Sequence, residues 1–368
     1  MWAITVKELL QLKRDKRTLA MMFMLPFVFL IVFGYAASFD VKEISTLVVG
    51  PHAAQAEALL PEQFKVVATD AQGDRDDAVE ALRRGEAIAA VVTPKEPGTR
   101  PQLLLDGTEL FATQAAEIAA ADAGPASGAA IEIEPEVLFN PELRTSVIMV
   151  PGLVGIILVF IGTLATALGV VRERATGTLE QLAVMPFRAG DVFIGKIAPY
   201  FLVAALDLIV VVLVGMLVFD VPFRGSVLTF ALGSVIFLFV TLGIGVLIST
   251  VSQTQGQAIQ LAMMTLLPQF LLSGLFFPLY SMVPAVRWIG YLVPLTYYIR
   301  ISRGVMVRGA PIDALWLPFL MLTVLSCVVF GLSVLRFRRD LAPSARRGRR
   351  HKQAATHPSM GAATEGDL

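Results

Sequence analysis

The chain has 368 residues and a formal net charge of +0; 55% of its residues are hydrophobic and only 16% are charged, with a mean hydropathy of +0.70. Soluble domains carry about 25% charged residues, so the composition argues for a membrane protein, and the balanced charge implies no nucleic-acid partner. The single cysteine, Cys327, excludes an intrachain disulfide and a cysteine-based metal site, and the three histidines argue against a zinc enzyme.

The N-terminal segment has the pattern of an amphipathic helix. Residues 1–18 carry five Lys or Arg residues, and one helical face collects apolar side chains: Trp2, Val6, Leu9 and Leu10. This pattern predicts a helix in the membrane interface. The same basic residues place the N-terminal end of the next apolar run, 19–39, on the cytoplasmic side of the membrane. Because that run lacks a convincing small-residue cleavage site, we interpret it as a retained first transmembrane helix.

The following region, 40–146, has a soluble character. Between 40 and 143 it holds 19 acidic and 7 basic residues, a net charge of −12. Predicted strands at 44–49, 66–69, 87–92 and 102–106 alternate with predicted helices at 53–60, 76–84 and 110–121. We therefore predict a small α/β domain, with Gly85 just after its second helix and a small-residue linker at 124–130. Its acidity either keeps it soluble or attracts cationic substrates.

Six apolar runs reach the ~20 residues that a helix needs to cross a hydrocarbon core. They are 19–39, 147–171, 197–219, 227–251, 258–279 and 315–335. Basic residues cluster at both ends of the chain, so we expect cytoplasmic termini and an extracytoplasmic 40–146 region. The predicted fold is thus an α-helical polytopic membrane protein with six transmembrane helices and an inserted α/β domain. The tail at 336–368 is predicted to be disordered and drawn to anionic lipid headgroups.

One stretch conflicts with this orientation. The segment at 280–314 lies on the nominally external side but contains four arginines: Arg287, Arg300, Arg303 and Arg308. Re-entrant or interfacial helices there would ease the conflict without removing it.

The cytoplasmic loop at 172–196 is too patterned for an ordinary connector. It combines a charged cluster, a Gly-Thr break, apolar residues at helical spacing and a proline stop: Arg172, Glu173, Arg174, Gly177, Thr178, Leu179, Leu182, Met185 and Pro186. This pattern predicts a short amphipathic helix on the cytoplasmic face, where another protein can push on it. Glu173 and Glu180 can meet basic groups on such a partner, and Leu179 and Leu182 offer apolar anchors. The alternatives are a solvated loop and salt bridges within the charged cluster.

Polar residues inside the apolar runs are the candidates for a transport pathway. Asp207 lies in the middle of the third run, where an ionised group costs about 2.5–3.5 kcal/mol on insertion scales. It either contacts substrate or makes a buried structural hydrogen bond. The same two alternatives apply to Gln260 and Gln269, whose neutral amides cost less free energy to place in the membrane. The glycines of the second run are predicted to allow close helix packing: Gly152, Gly155, Gly162 and Gly169.

A P-loop-like spacing occurs at Gly190, Gly195 and Lys196 but does not predict nucleotide binding. Ile197 stands where a Ser or Thr would ligate magnesium, and no buried strand precedes the segment. We therefore expect no catalytic residue, cofactor or metal in this chain, and no hydrolysis of ATP by the chain alone.

These segments resemble the permease subunit of ABC exporters of the type-2 membrane family, in particular those with a large extracytoplasmic domain between the first two spans. The motifs concerned are Lys7-Glu8-Leu9, Arg14-Asp15-Lys16-Arg17, Asp106-Gly107-Thr108, Arg172-Glu173-Arg174, Gly177-Thr178-Leu179-Glu180-Gln181-Leu182, Gly195-Lys196-Ile197-Ala198-Pro199-Tyr200 and Pro294-Leu295-Thr296-Tyr297-Tyr298. The resemblance implies a permease of the bacterial inner membrane that exports drugs, lipids or other amphiphiles. It also implies pairing with a second copy or a related permease, and ATP-binding ATPase subunits that receive the 172–190 loop as a coupling helix.

Two other function classes stay open from the residues alone. A membrane-bound sensor or scaffold would use the external domain to bind a ligand, but six spans exceed what signalling needs and no cytoplasmic signalling domain is recognised. An ion-coupled secondary transporter would need several intramembrane carboxylates and an internal repeat, whereas Asp207 is nearly alone and no repeat is evident.

Overall fold

The computed structural model describes residues 43–95, 101–126, 134–175 and 189–341, with isolated positions at 20, 24, 34 and 41. Several predicted features lie outside these residues: the interfacial helix at 1–18, nearly all of the run at 19–39, most of the patterned loop at 176–188 and the tail after 341. The described chain is mostly helical, with one mixed β-sheet near its beginning.

The sheet has five strands in the order β2-β1-β3-β4-β5. The strands are β1 Ile44–Val49, β2 Phe64–Asp70, β3 Ala89–Val92, β4 Gln102–Asp106 and β5 Glu134–Leu138. Only the β3–β4 pair is antiparallel. β1 and β4 have the predicted bounds, whereas β5 was not predicted, because its Glu-Pro-Glu start lacks the apolar alternation of a strand. A proline suits its place at the sheet edge.

Three helices cover the two faces of the sheet. They are α1 Ala53–Leu59, α2 Arg75–Arg84 and α3 Leu110–Ala126. Apolar residues of α1 and α3 pack in one cluster with the sheet, and those of α2 pack in a second cluster. Asp74 caps α2 in a capping box, and Gly85 ends it at φ 75°, as its sequence position predicts. α3 continues to Ala126, beyond the predicted start of a linker at 124.

The rest of the described chain forms a helical bundle. Its long helices are α4 Thr145–Ala175, α5 Ala189–Val218, α6 Val227–Val251, α7 Gln255–Leu272 and α10 Trp316–Leu341; between the last two lie the short helices α8 Pro284–Tyr291 and α9 Pro294–Arg303. Four segments of the described chain are long and apolar enough to cross a membrane: Thr145–Glu173, Ile197–Val218, Val227–Val251 and Trp316–Arg336. These correspond to the second, third, fourth and sixth predicted spans.

The fifth predicted span, 258–279, is shorter and more polar than expected. α7 ends at Leu272, and Gly274 adopts a left-handed conformation at φ 84° that breaks the helix. Four glutamines also lower its hydropathy, and α7 is not among the four candidate spans. The apolar residues after Leu272 continue in irregular backbone and a 3₁₀ turn, Leu279–Ser281.

α4 is the central helix of the bundle and packs against α5, α6, α7 and α9. The prediction of close packing at its glycines is confirmed. A Cβ atom built at Gly155 would lie 2.6 Å from Leu295, and one at Gly162 would lie 2.5 Å from Thr241; Gly152 and Gly169 similarly abut Leu275 and Tyr200. These contacts let α4 approach its neighbours closely, as small residues do in membrane helices.

Candidate functional site

The patterned loop joins two helices that pack together at its ends. α4 ends at Ala175 and α5 begins at Ala189; Val170 and Ile197 share an apolar cluster beside the junction. Arg172 is exposed and Glu173 is partly buried in the last turns of α4. The other predicted coupling residues lie outside the described residues: Gly177, Thr178, Leu179, Glu180, Leu182 and Pro186.

Asp207 lies on the inner side of α5, on the same face as the buried Ala204 and Gly215. One of its carboxylate oxygens, Oδ2, is buried and accepts no hydrogen bond from the described residues. This oxygen therefore does not make the structural hydrogen bond that was considered as one alternative, within the described part of the chain. α5 packs mainly on α4, α6 and α10.

Gln260 and Gln269 lie on α7, which packs on α4, α6, α8 and α9. The two amides are therefore in a different part of the bundle from Asp207. In each, Oε1 is buried and accepts no hydrogen bond from the described residues, while Nε2 of Gln269 donates a long bond of 3.5 Å to the Thr265 carbonyl. Such unpaired amide oxygens are unusual in buried sites.

A groove with a cavity volume of about 180 Å³ runs between α4 and α7 beside Gln269. The described residues that line it are otherwise apolar: Ile156, Val159, Phe160, Met263, Leu266, Leu267, Phe270 and Leu295. The surface that faces the groove is apolar, because the polar atoms of Gln269 are buried behind it. Such a lining suits an apolar molecule.

The conflict raised by the arginines of 280–314 has a structural explanation, because all four make specific contacts. Arg287 donates to the carbonyls of Tyr280 and Met282, and the Arg300 guanidinium lies 5.9 Å from the centre of the Tyr291 ring. Arg303 is buried and donates from Nε to the Ile148 carbonyl at 3.2 Å. These arginines stabilise the fold through contacts within the protein. Their positions therefore need not follow the positive-inside rule, which applies to basic residues in short loops.

The fourth arginine, Arg308, joins the bundle to the sheet. It ends a π-helical turn, Gly304–Arg308, and its guanidinium donates to Oδ2 of Asp106 at 3.2 Å. The other oxygen of this buried carboxylate accepts from the backbone N–H and hydroxyl of Thr108, at 3.0 and 2.7 Å. Asn140 donates to the Gly107 carbonyl at 3.2 Å and so adds the start of α4 to the network. We call Asp106, Gly107, Thr108, Asn140 and Arg308 the sheet–bundle joint.

Glu109 and Tyr280 lie near this joint. Burial raises the pKa of the Glu109 carboxyl, opposed by the positive charges of Arg303 and Arg308 and reinforced by the negative charge of Asp106. Burial likewise raises the pKa of the Tyr280 hydroxyl. The sequence identified Asp106-Gly107-Thr108 only as a recurrent turn; its partner is 202 residues away in the chain, so nothing local indicated its role.

Comparisons with known proteins identify the family. The family model described as "ABC-2 family transporter protein" matches residues 16–335. The probable multidrug ABC transporter permease YbhS of Escherichia coli K12 is 28% identical over 370 residues, which cover 92% of this chain and 97% of that protein. The inner membrane transport permease YhhJ of the same organism is 31% identical over 224 residues, 58% of each chain. ABC transporter G family member 20 of Dictyostelium discoideum is 27% identical over 200 residues, 54% of this chain and 27% of that protein.

These relatives are transport proteins, which favours the permease interpretation over a sensor or a secondary transporter. The family match spans both the sheet and the bundle, and it includes the patterned loop that first suggested the resemblance. With its apolar helices and its near full-length similarity to a permease, the chain belongs to the ABC-2 transporter family and is a membrane-spanning permease.

Proposed function

We propose that this permease is the membrane subunit of an ATP-driven exporter, energised by separate ATPase subunits that dock on the 172–190 loop. The observation that carries the proposal is the family match over residues 16–335 together with the geometry of α4. α4 has 31 residues and is therefore about 46 Å long, against a hydrocarbon core of about 30 Å. It begins beside the sheet and ends at the loop, so the two lie at opposite ends of the bundle.

The packing of α4 supports a role in transmitting movement from the loop. A displacement of its loop end acts directly on α5, α6, α7 and α9, because α4 contacts all of them. At Gly155 and Gly162 α4 packs so closely on its neighbours that a Cβ atom would not fit, so a shift of α4 has to move these neighbours. Docking of a partner at the loop therefore has a mechanical route to the groove between α4 and α7.

The topology that fits this function has six spans with both termini in the cytoplasm of a bacterial inner membrane. Four described helices supply spans, and the runs at 19–39 and 258–279 are proposed as the first and fifth. The sheet domain is then extracytoplasmic. A second copy or a related permease completes the transporter, and substrate passes along the interface between the two.

The substrates are proposed to be drugs, lipids or other amphiphiles. YbhS carries the name of a multidrug permease, and the apolar groove beside Gln269 suits a molecule that is mostly apolar. Gln260 and Asp207, whose buried oxygens also accept no hydrogen bond within the described chain, are proposed as further polar positions near the path.

The coupling proposal is tested by Glu180→Lys in cells that contain the cognate ATPase. Reversing a charge at a docking helix removes an anchor worth about 2 kcal/mol or more, so docking and export should fall at least about tenfold. The measurements are drug or dye export from cells and co-purification of the ATPase, with the amount of permease in the membrane held equal.

A matched control is Glu62→Lys, the same charge reversal at an exposed position before β2. It should leave export and ATPase binding unchanged. Normal export and normal ATPase recovery by the Glu180→Lys protein would rule out the loop as the coupling element.

A further inference from the structure

A second pocket lies at the sheet-side end of the bundle, away from the groove with Gln269. It opens between the connection from β5 to α4 and the connection from α5 to α6, and has a cavity volume of about 300 Å³. This is at the lower end of the usual range for a small-molecule site. Its wall includes Asn140, Glu142, Arg144, Asp220 and Arg224.

Two cations and two anions line this pocket. Arg144 donates from Nε to Oε2 of Glu142 at 2.6 Å, and its positive charge also lies within electrostatic reach of Asp220. Arg224 uses one of its three nitrogens to donate to the carbonyls of Phe139 and Val307, at 3.0 and 3.1 Å, and its side chain is otherwise exposed. The exposed Asp220 carboxylate accepts no hydrogen bond in the part of the chain that the structure describes.

The backbone of the two connections is strained. In the described chain, the non-glycine residues with positive φ are Phe139 at 65°, Leu143 at 48° and Asp220 at 52°. All three lie in the two connections that form the pocket. Left-handed conformations are costly for Phe139 and Leu143 and less so for an aspartate such as Asp220, and such outliers concentrate at ligand clamps and switch regions. The unusual backbone conformations are independent of the charges, and both features occur at the pocket between these two connections.

The surroundings of the pocket are apolar. Leu217 and Val218 in the last turn of α5, and Val227 and Leu228 in the first turn of α6, are between 67% and 80% exposed. These turns end two candidate membrane spans, so the pocket lies where the bundle meets the membrane surface. A bound molecule with a polar head here would have apolar surface beside it for its chains.

We propose that this pocket binds a phospholipid with a phosphoethanolamine headgroup, with the phosphate on Arg224 and the primary ammonium on Asp220. A phosphate pairs well with a guanidinium, and an ammonium N–H donates a charge-assisted hydrogen bond to a carboxylate. An anionic headgroup without an ammonium would leave the Asp220 carboxylate without an opposite charge on the lipid. A quaternary ammonium has no N–H to donate and is held by aromatic cages, whereas Phe139 is the one aromatic residue among the described lining residues.

The test uses the full-length permease in detergent and measures lipid binding by native mass spectrometry. The probes are phosphatidylethanolamine, phosphatidylcholine and phosphatidylglycerol with identical acyl chains. The wild type should bind phosphatidylethanolamine at least about tenfold more tightly than the other two, the ratio expected for one charge-assisted hydrogen bond. Asp220→Asn should abolish this preference, and because Asn also tolerates positive φ, the fold should be kept.

Glu62→Gln, which removes one carboxylate from the exposed surface of the sheet domain, is the control and should keep the preference. Soluble phosphoethanolamine is added as a competitor to separate the two sources of the headgroup. Failure of an equal concentration to displace the lipid supports the lipid assignment, and full displacement would overturn it in favour of a free metabolite. Equal binding of all three lipids by the wild type, or an unchanged preference in Asp220→Asn, would overturn the site itself.

Discussion

The amide oxygen of Gln269 is buried beside an apolar groove and accepts no hydrogen bond within the described chain. Leaving such a group unpaired costs about 1–3 kcal/mol. The hypothesis that Gln269 lies on the pathway requires its amide to turn toward the groove when a substrate with a hydrogen-bond donor binds there.

Gln269→Leu should therefore raise the thermal melting temperature of the purified permease, by an amount equivalent to about 1 kcal/mol. It should also reduce export of compounds that carry a hydrogen-bond donor more than export of compounds that lack one. The measurements are melting by intrinsic fluorescence and export of a panel of paired compounds.

Met263→Leu serves as the comparison, because Met263 lines the same groove and the change leaves its polarity unaltered. Its export profile should match the wild type. An unchanged substrate profile in Gln269→Leu would remove Gln269 from the pathway.

Asp207 shows how far a residue can be interpreted from sequence. A charge in a long apolar run is conspicuous, so hydropathy alone identifies it. Its neighbours depend on the rotation of α5, which repeats apolar residues on all sides and therefore gives no preferred face. The structure places it on the inner side, and its contact with substrate stays a prediction.

The element that connects the sheet to the bundle is the joint around Asp106. Asp106 is 1% exposed and Arg308 is 13% exposed, and α2 closes over the guanidinium at Gly85, where a Cβ would lie 2.9 Å from it. Loss of one partner from a buried ion pair leaves an uncompensated charge, which is far more costly than the pair itself is stabilising.

Arg308→Met should therefore destabilise the permease by about 3 kcal/mol and loosen the sheet from the bundle. The expected observations are a lower melting temperature and faster proteolytic cleavage between 101 and 144. Arg84→Met breaks the ion pairs with Asp313 and Glu86, whose side chains are 61% and 63% exposed, and should cost less than about 1 kcal/mol. Equal effects of the two substitutions would show that the joint is no stronger than a surface contact.

Strands and helices whose apolar residues recur at a regular spacing could be predicted from the sequence. Those whose bounds depend on contacts with distant residues could not. β1 follows its predicted bounds because its apolar residues fill both faces of the sheet. β5 is recognisable only through its pairing with β4. The end of α7 is set by the left-handed Gly274 and not by hydropathy, which continues to 279.

At the scale of the whole molecule, charge distribution predicted an orientation that the arginines of 280–314 contradicted. Their partners explain the contradiction: Arg303 binds the Ile148 carbonyl 155 residues away, and Arg308 binds Asp106. Contacts between residues so far apart in the chain cannot be predicted from the sequence around either partner. For the patterned loop at 172–196 the sequence was more informative than the structure. Its motif suggested the family, whereas most of its residues lie outside the described part of the chain.

The central claim is that the sheet and the coupling loop lie on opposite sides of the membrane, joined by α4. It is tested by labelling single cysteines with a membrane-impermeant thiol reagent, in a Cys327→Ser background that removes the native exposed cysteine. Cysteine at position 76 replaces the exposed Asp76 at the start of α2, and cysteine at position 180 replaces Glu180 in the loop. We predict that Asp76→Cys reacts in intact cells with a permeabilised outer membrane, and that Glu180→Cys reacts only after lysis. Labelling of both before lysis, or of Asp76→Cys only after lysis, would contradict the account.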